Sequence, residues 1–232
     1  MRLDKYLANM GLGTRTEVKQ MLKKGKVAVN DKVEKSPKTQ VQAETDRVYV
    51  DGQEVQFIDK VYLMLNKPKG YISATDDDQH PTVIELIDDY QYLDIFPVGR
   101  LDKDTEGLLL ITNDGQFNHQ IMNPSKHVSK TYEVISEKTI TNDDIKSFKK
   151  GIELSEGVMK PAELSHGKLD KQSFVTISEG KYHQVKRMFH AIDNEVLVLK
   201  RVSIGDLQLD SGLDLGEYRH LTEEDFKKLR QN

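Results

Sequence analysis

The sequence predicts an α+β protein in two parts. A small helix-then-strand head spans residues 1–58, and a larger body spans residues 59–232, built on a mixed, largely antiparallel sheet flanked by helices. Three observations lead there. Residues 1–38 carry ten Lys/Arg against four Asp/Glu, while residues 39–232 carry 24 against 34, so the net charge of −4 conceals a basic head on an acidic body. Helical and strand periodicities then alternate too irregularly for a doubly wound parallel sheet. Finally, 232 residues are enough to bury a sizeable core as one large or two small domains.

Other classes are excluded by what the chain lacks. No apolar run approaches the ~18–20 residues needed to span a bilayer. The start, Met1-Arg2-Leu3-Asp4-Lys5, has no apolar signal core. With no cysteine there are no disulfides and no thiolate metal sites, which fits a reducing compartment. The expectation is a cytoplasmic protein without a membrane partner, acting as a monomer.

In the head, Leu3, Tyr6, Leu7 and Met10 recur at helical spacing, and Gly11 and Gly13 end that segment. Thr14-Arg15-Thr16-Glu17 has the form of a capping box opening a second helix to about Lys24. Val18, Met21 and Leu22 make its apolar stripe, which leaves Arg15, Lys19, Lys23 and Lys24 largely elsewhere as a phosphate-neutralising face. Lys26–Val29 reads as a strand turned by Asn30-Asp31, Val48-Tyr49-Val50 as its return, and Gln53–Lys60 as a linker.

In the body, Val61–Asn66 reads as a strand interrupted by Lys67-Pro68-Lys69-Gly70 and resumed by Tyr71–Thr75, with Lys67 and Lys69 expected as solvated turn lysines. Asp76-Asp77-Asp78 lacks the alternating ligands and glycine of a calcium loop and reads as exposed loop. Thr82–Ile87 predicts a short helix. Gly99 and Gly107 bracket a polar loop containing Asp102, ahead of the buried strand Leu108–Thr112 and the turn Asn113-Asp114-Gly115. Phe117–Met122 and Thr141–Lys150 predict helices, and Lys130–Ile135, Pro161–Leu164, Lys171–Ile177 and Val196–Ile204 predict strands. From Tyr182 onward, Val185, Met188, Phe189 and Ile192 fall on one helical face, with His183, Lys186, Arg187 and His190 on another. A short C-terminal helix follows Thr222.

Several of these stretches carry a family resemblance. Gly99-Arg100-Leu101-Asp102-x-x-Thr105-x-Gly107-Leu108-Leu109-Leu110-x-Thr112-Asn113-Asp114-Gly115 resembles the catalytic motif of the RNA pseudouridine synthases. Lys130-Thr131-Tyr132-x-Val134 resembles their second motif, and Glu179-Gly180-x-Tyr182-His183-Gln184-Val185-Lys186-Arg187-Met188-Phe189 their third. The head, with Thr14-Arg15 at a helix start and Gly25-x-Val27-x-Val29-Asn30 after it, resembles the S4-type RNA-binding module. The resemblance implies isomerisation of uridine to pseudouridine without metal or cofactor.

By that match Asp102 is the nucleophile, attacking either the ribose anomeric carbon or the base. Tyr132 stacks on the base and helps remove its C5 proton, since a hydroxyl can exchange a proton and Phe cannot. Lys186 is the basic partner of Asp102. Arg100, His183 and Arg187 are expected at the opened RNA site, alongside the head's phosphate contacts. Asn66-Lys67-Pro68-x-Gly70-Tyr71 with Thr75-Asp76-Asp77-x-x-His80-Pro81-Thr82-Val83 resembles the branch acting on 16S rRNA, which makes ribosomal RNA or the assembling small subunit the expected partner. Large-subunit enzymes are the runner-up. A non-catalytic S4-type protein would leave Asp102, Tyr132 and Lys186 without a purpose, and a nucleosidase would have no need of the head.

Overall fold

A computed structural model describes residues 1–126 and 128–230, apart from the side chains of Pro124 and Arg230. The chain divides into two compact units, Met1–Val61 with Asp89–Asp94, and Tyr62–Asp88 with Ile95–Asn232.

The first unit opens with α1 (Leu3–Asn9) and α2 (Arg15–Lys23), followed by β1 (Val27–Val29), β2 (Lys32–Val33), β3 (Val48–Val50) and β4 (Gln53–Glu54) in the sheet order β2-β1-β3-β4. The capping box predicted at α2 is present: Glu17 N donates to Thr14 Oγ1 at 3.3 Å, and Thr14 N donates to Glu17 Oε2 at 2.7 Å. Leu3, Tyr6, Leu7, Val18, Leu22, Val27 and Val48 close the core, each essentially without exposure. Burying a side chain of that size contributes roughly 1.5–3 kcal/mol. The segment expected as a linker belongs to this core instead. Tyr6 Oη donates to the Val55 carbonyl at 2.8 Å, Phe57 lies against the Tyr6 ring, and Leu93 packs on the same cluster. Its three apolar residues, Val55, Phe57 and Ile58, are what hold it there.

The second unit contains β5 (Tyr62–Lys67), β6 (Phe96–Val98), β7 (Glu106–Thr112), α3 (Gly115–Met122), β8 (Lys130–Ser136), α4 (Asn142–Lys150), β9 (Glu153–Leu154) and β10 (Gly157–Val158). It continues with β11 (Glu163–His166), β12 (Gln172–Ile177), α5 (Gln184–Ala191), β13 (Val196–Ile204), β14 (Leu207–Gln208), β15 (Tyr218–His220) and α6 (Glu223–Arg230). Its main sheet runs β11-β12-β8-β13-β7-β5-β15, with β14 on β13 and β6 on β7. Every pairing is antiparallel except β13 with β7, so the predicted mixed, largely antiparallel sheet is present. Tyr71–Thr75 does not resume a strand. Ile72 makes only an isolated bridge to Thr82, and the Ser73 side chain is committed elsewhere.

One feature of this sheet positions the site. Along one edge β7 pairs continuously with β5. Its other edge is divided, with β13 beside Glu106–Gly107 and β6 beside Leu110–Thr112. The polar loop 99–105 therefore leaves the sheet where the two neighbours part. Gly107 is required at that point: its φ is 103°, and a Cβ there would fall on the backbone oxygen of Arg201.

Candidate active site

The loop carrying Asp102 is held from below by a side chain that sequence reasoning placed in solvent. Lys67, at the end of β5, has 0% exposure. Its Nζ donates to the carbonyl oxygens of Thr105 (2.8 Å), Asp102 (3.0 Å) and Pro68 (3.1 Å), with a longer contact to Lys103 (3.4 Å). Burial pushes the Lys67 ammonium down to about 8, against the pull of the nearby Asp104 and Asp102 carboxylates. A second pin acts one residue earlier: Ser73 Oγ accepts from Leu101 N and donates to Leu101 O, both at 2.9 Å. Gly70 N donates to Lys103 O at 2.8 Å. The backbone on both sides of Asp102 is thus fixed by hydrogen bonds, the preorganisation a reacting group requires. The signal in the sequence was that Lys67 continues a strand buried on both faces, Leu63-Met64-Leu65, before the chain turns.

The Asp102 side chain remains 30% exposed, with His183 Nε2 3.6 Å from Oδ1 and Lys186 Nζ 3.6 Å from Oδ2. Lys186 makes its short contact to Asp104, at 2.6 Å, a residue to which no motif gives a role. Partial desolvation beside Lys186 would raise the Asp104 carboxyl, but the hydrogen bond and charge of Lys186 hold it below its ordinary value. Lys186 and His183 are both set by α5, whose Val185, Met188 and Phe189 are buried, with Phe189 edge-on to Phe148 of α4 at 5.5 Å. His183 is the residue before the first turn of α5 and adopts a left-handed conformation, φ 48° and ψ 33°. Its ring stacks on Tyr182 with centroids 3.8 Å apart.

A cavity of about 580 Å³ opens beside Asp102, with Arg100, Tyr132, His183 and Arg201 among its walls. Tyr132 is 8% exposed on β8, directly opposite Val175 of β12 and Arg201 of β13. Asp102, Tyr132, Lys186, His183 and Arg100 are therefore brought to one region. Arg187 is engaged within the protein instead. Its guanidinium forms a two-pronged bridge to Glu156 in the β9–β10 hairpin, at 2.7 and 2.6 Å, and its Nε donates to Tyr182 O at 2.8 Å. These contacts occupy the fork that was expected to meet RNA, and they hold Glu156 down to about 2. In the other unit, Arg15, Lys19, Lys23 and Lys24 are all exposed along α2. Among the described residues, no three His, Asp or Glu side chains cluster as a metal site, and no helix is long and apolar enough to cross a membrane.

A loop-borne carboxylate beside a lysine and a histidine at an aromatic-walled cavity, in a chain that also carries a basic helical module, is the arrangement of a nucleic-acid-directed enzyme. Comparison with known proteins gives the class. Residues 61–191 match the family described as RNA pseudouridylate synthase, and residues 1–48 match the S4 domain. The chain is 46% identical over 236 residues to the uncharacterized RNA pseudouridine synthase YtzG of Bacillus subtilis (strain 168), covering 100% of this chain and 99% of that protein. It is 42% identical to ribosomal small subunit pseudouridine synthase A of Yersinia pestis, covering 97% of each. A solved structure described as a pseudouridylate synthase superposes with a TM-score of 0.69 at 38% identity, covering 99% of both chains. The chain belongs to the RNA pseudouridylate synthase family, an isomerase with an S4 domain at its N-terminus.

Proposed function

We propose that this enzyme converts a uridine of 16S ribosomal RNA to pseudouridine, with Asp102 as the nucleophile. The observation that carries the reading is the placement of the Asp102 carboxylate. It is partly exposed at a cavity, on a loop fixed by Lys67 and Ser73, with Lys186 and His183 each 3.6 Å away. The 16S target is supported by the name and near-full-length similarity of the small-subunit relatives.

The target nucleotide leaves its stack and enters the cavity, as bases undergoing chemistry must. Asp102 then attacks the ribose anomeric carbon or the base. On the first route an ester to the anomeric carbon forms as the bond to N1 breaks, and N1 departs with the electron pair. The uracil turns until C5 faces the sugar, the C5–carbon bond forms, and the carboxylate is released. C5 gives up its proton, N1 gains one, and the sum is an isomerisation. On the second route, addition to the ring precedes the same exchange of bonds. Tyr132 stacks on the base, and its hydroxyl takes part in removing the C5 proton. Lys186 orients Asp102, while Arg100 and the exposed cations of α2 engage the RNA backbone.

Incubation with unmodified 16S and 23S rRNA, followed by mapping of pseudouridine, tests this reading. The expected product is one modified uridine in 16S rRNA. Product in 23S rRNA alone would move the target to the large subunit, and free uracil without pseudouridine would overturn the isomerase chemistry.

A further inference from the structure

Of the cations in the cavity wall that the reaction above leaves unused, Lys130 and Arg201 are the two that are not exposed. Arg201 of β13 is 3% exposed. Its Nε donates to Leu108 O at 2.7 Å, while its Nη2 is buried without a hydrogen-bond partner. Lys130, the first residue of β8, is half-buried and its Nζ donates to Val128 O at 3.1 Å. Both line the cavity, and among the described residues neither bonds to a carboxylate. Buried cations are ordinarily paired, because an unpaired charge or donor is costly to desolvate. Here burial and the Arg201 charge both push the Lys130 ammonium below its ordinary value.

The carboxylates that share the cavity are already engaged. Asp102 faces His183 and Lys186, and Glu179 Oε1 accepts from Lys160 N and Gln184 Nε2. The wall therefore presents like charges awaiting an anion.

We infer that Lys130 and Arg201 form a subsite for the phosphodiester of the target nucleotide itself. This rests on the function proposed above. Register supports the assignment. Residues i and i+2 of a strand face the same way about 7 Å apart, so Lys130 and Tyr132 share one face of β8. Arg201 is the cross-strand partner of Tyr132, and directly opposed residues also share a face. A base lying on Tyr132 has its own phosphate within reach of both cations. A guanidinium with an unused Nη2 matches the paired oxygens of a phosphodiester.

The test is a double-mutant cycle between Lys130→Gln and a methylphosphonate, which removes the phosphate charge, placed at the target uridine. Thermal melts confirm that the variant folds. Losing one charge-assisted contact should weaken binding roughly tenfold to a hundredfold. The methylphosphonate should cost the wild type at least that much and cost Lys130→Gln clearly less, only the share of the remaining Arg201 contact. Arg201→Lys, which keeps the charge and loses the fork, should show the same coupling in weaker form. Additive losses, or coupling only with a neighbouring nucleotide's phosphate, would overturn the assignment.

A titration independent of the RNA separates this idea from the proposed function. In NMR titrations the wild type should prefer uridine 3′,5′-bisphosphate to uridine by at least about tenfold, and Lys130→Gln should reduce that preference several-fold. No preference in the wild type would sink the subsite. Absence of pseudouridine in every rRNA with the preference intact would sink the proposed function alone.

Discussion

Lys186 Nζ stands 2.6 Å from Asp104 Oδ1 and 3.6 Å from Asp102 Oδ2, so the cation nearest the candidate nucleophile is hydrogen-bonded to its neighbour. Asp104 is exposed and holds Lys186 in place without occupying the cavity. Two substitutions separate the roles. Lys186→Met should lower kcat/KM by at least about a hundredfold, the range seen when a preorganised electrostatic contact is removed. Asp104→Asn frees Lys186 to close on Asp102 and should retain most activity. Equal and severe losses from both would mean the three side chains act as one unit.

Lys67 is predicted to be a positioning residue. Lys67→Met leaves several buried carbonyl oxygens short of a donor, each costing about 1–3 kcal/mol, so the variant should melt well below the wild type. Because the affected carbonyls flank Asp102, kcat should fall more than KM rises. The pH dependence carries a definite sign. With the folded Lys67 near 8 and its ordinary value at 10.5, the unfolded chain binds more protons between those limits. Stability relative to Lys67→Met should therefore rise with pH across that window, by up to about 3 kcal/mol. A flat or falling difference would contradict the buried ammonium.

Tyr132 is assigned two jobs that substitution separates. Tyr132→Phe keeps the ring, whose stacking contributes about 1–3 kcal/mol per base, and loses only the hydroxyl. If that hydroxyl handles the C5 proton, the variant should bind RNA normally and turn over roughly 10²–10⁴ times more slowly. RNA with 5-fluorouridine at the target has no C5 proton to lose, so Phe and wild-type enzymes should process it to the same rearranged intermediate at similar rates. Wild-type turnover by Tyr132→Phe on ordinary RNA would leave Tyr132 a stacking platform only.

The head makes a salt-dependent prediction. If Arg15, Lys19, Lys23 and Lys24 neutralise about three phosphates, log affinity should fall with log salt at a slope of roughly −2 to −3. Neutralising all four should flatten that slope and weaken binding to any RNA. An unchanged slope would make α2 a solvated surface.

Much of this molecule was legible in its sequence because the strongest signals are local. The α2 capping box, the apolar stripe of α5 and the alternation of β8 each depend on neighbours within a few residues, and each element formed where expected. What escaped was decided by distant contacts. Lys67 reads as a turn lysine until β5 and the 99–105 loop are seen to enclose it. The bridge from Arg187 to Glu156 of the β9–β10 hairpin is not written in the segment around Arg187. Ser73 lies in what reads as a strand, yet its hydroxyl is drawn to Leu101 twenty-eight residues later. The unpaired state of Arg201 depends on which strands flank β13, and no pattern within one segment records that.

On the proposed mechanism the Asp102 carboxylate forms the covalent link on which the isomerisation depends. Single-turnover pseudouridine formation by Asp102→Asn on unmodified 16S rRNA, measured beside RNA affinity and thermal melting, tests it most directly. The carboxamide has nearly the same shape, and the backbone pins from Lys67 and Ser73 do not involve the side chain. Asp102→Asn should fold and bind RNA like the wild type and form no detectable pseudouridine. Pseudouridine formed by Asp102→Asn at the wild-type rate would contradict it.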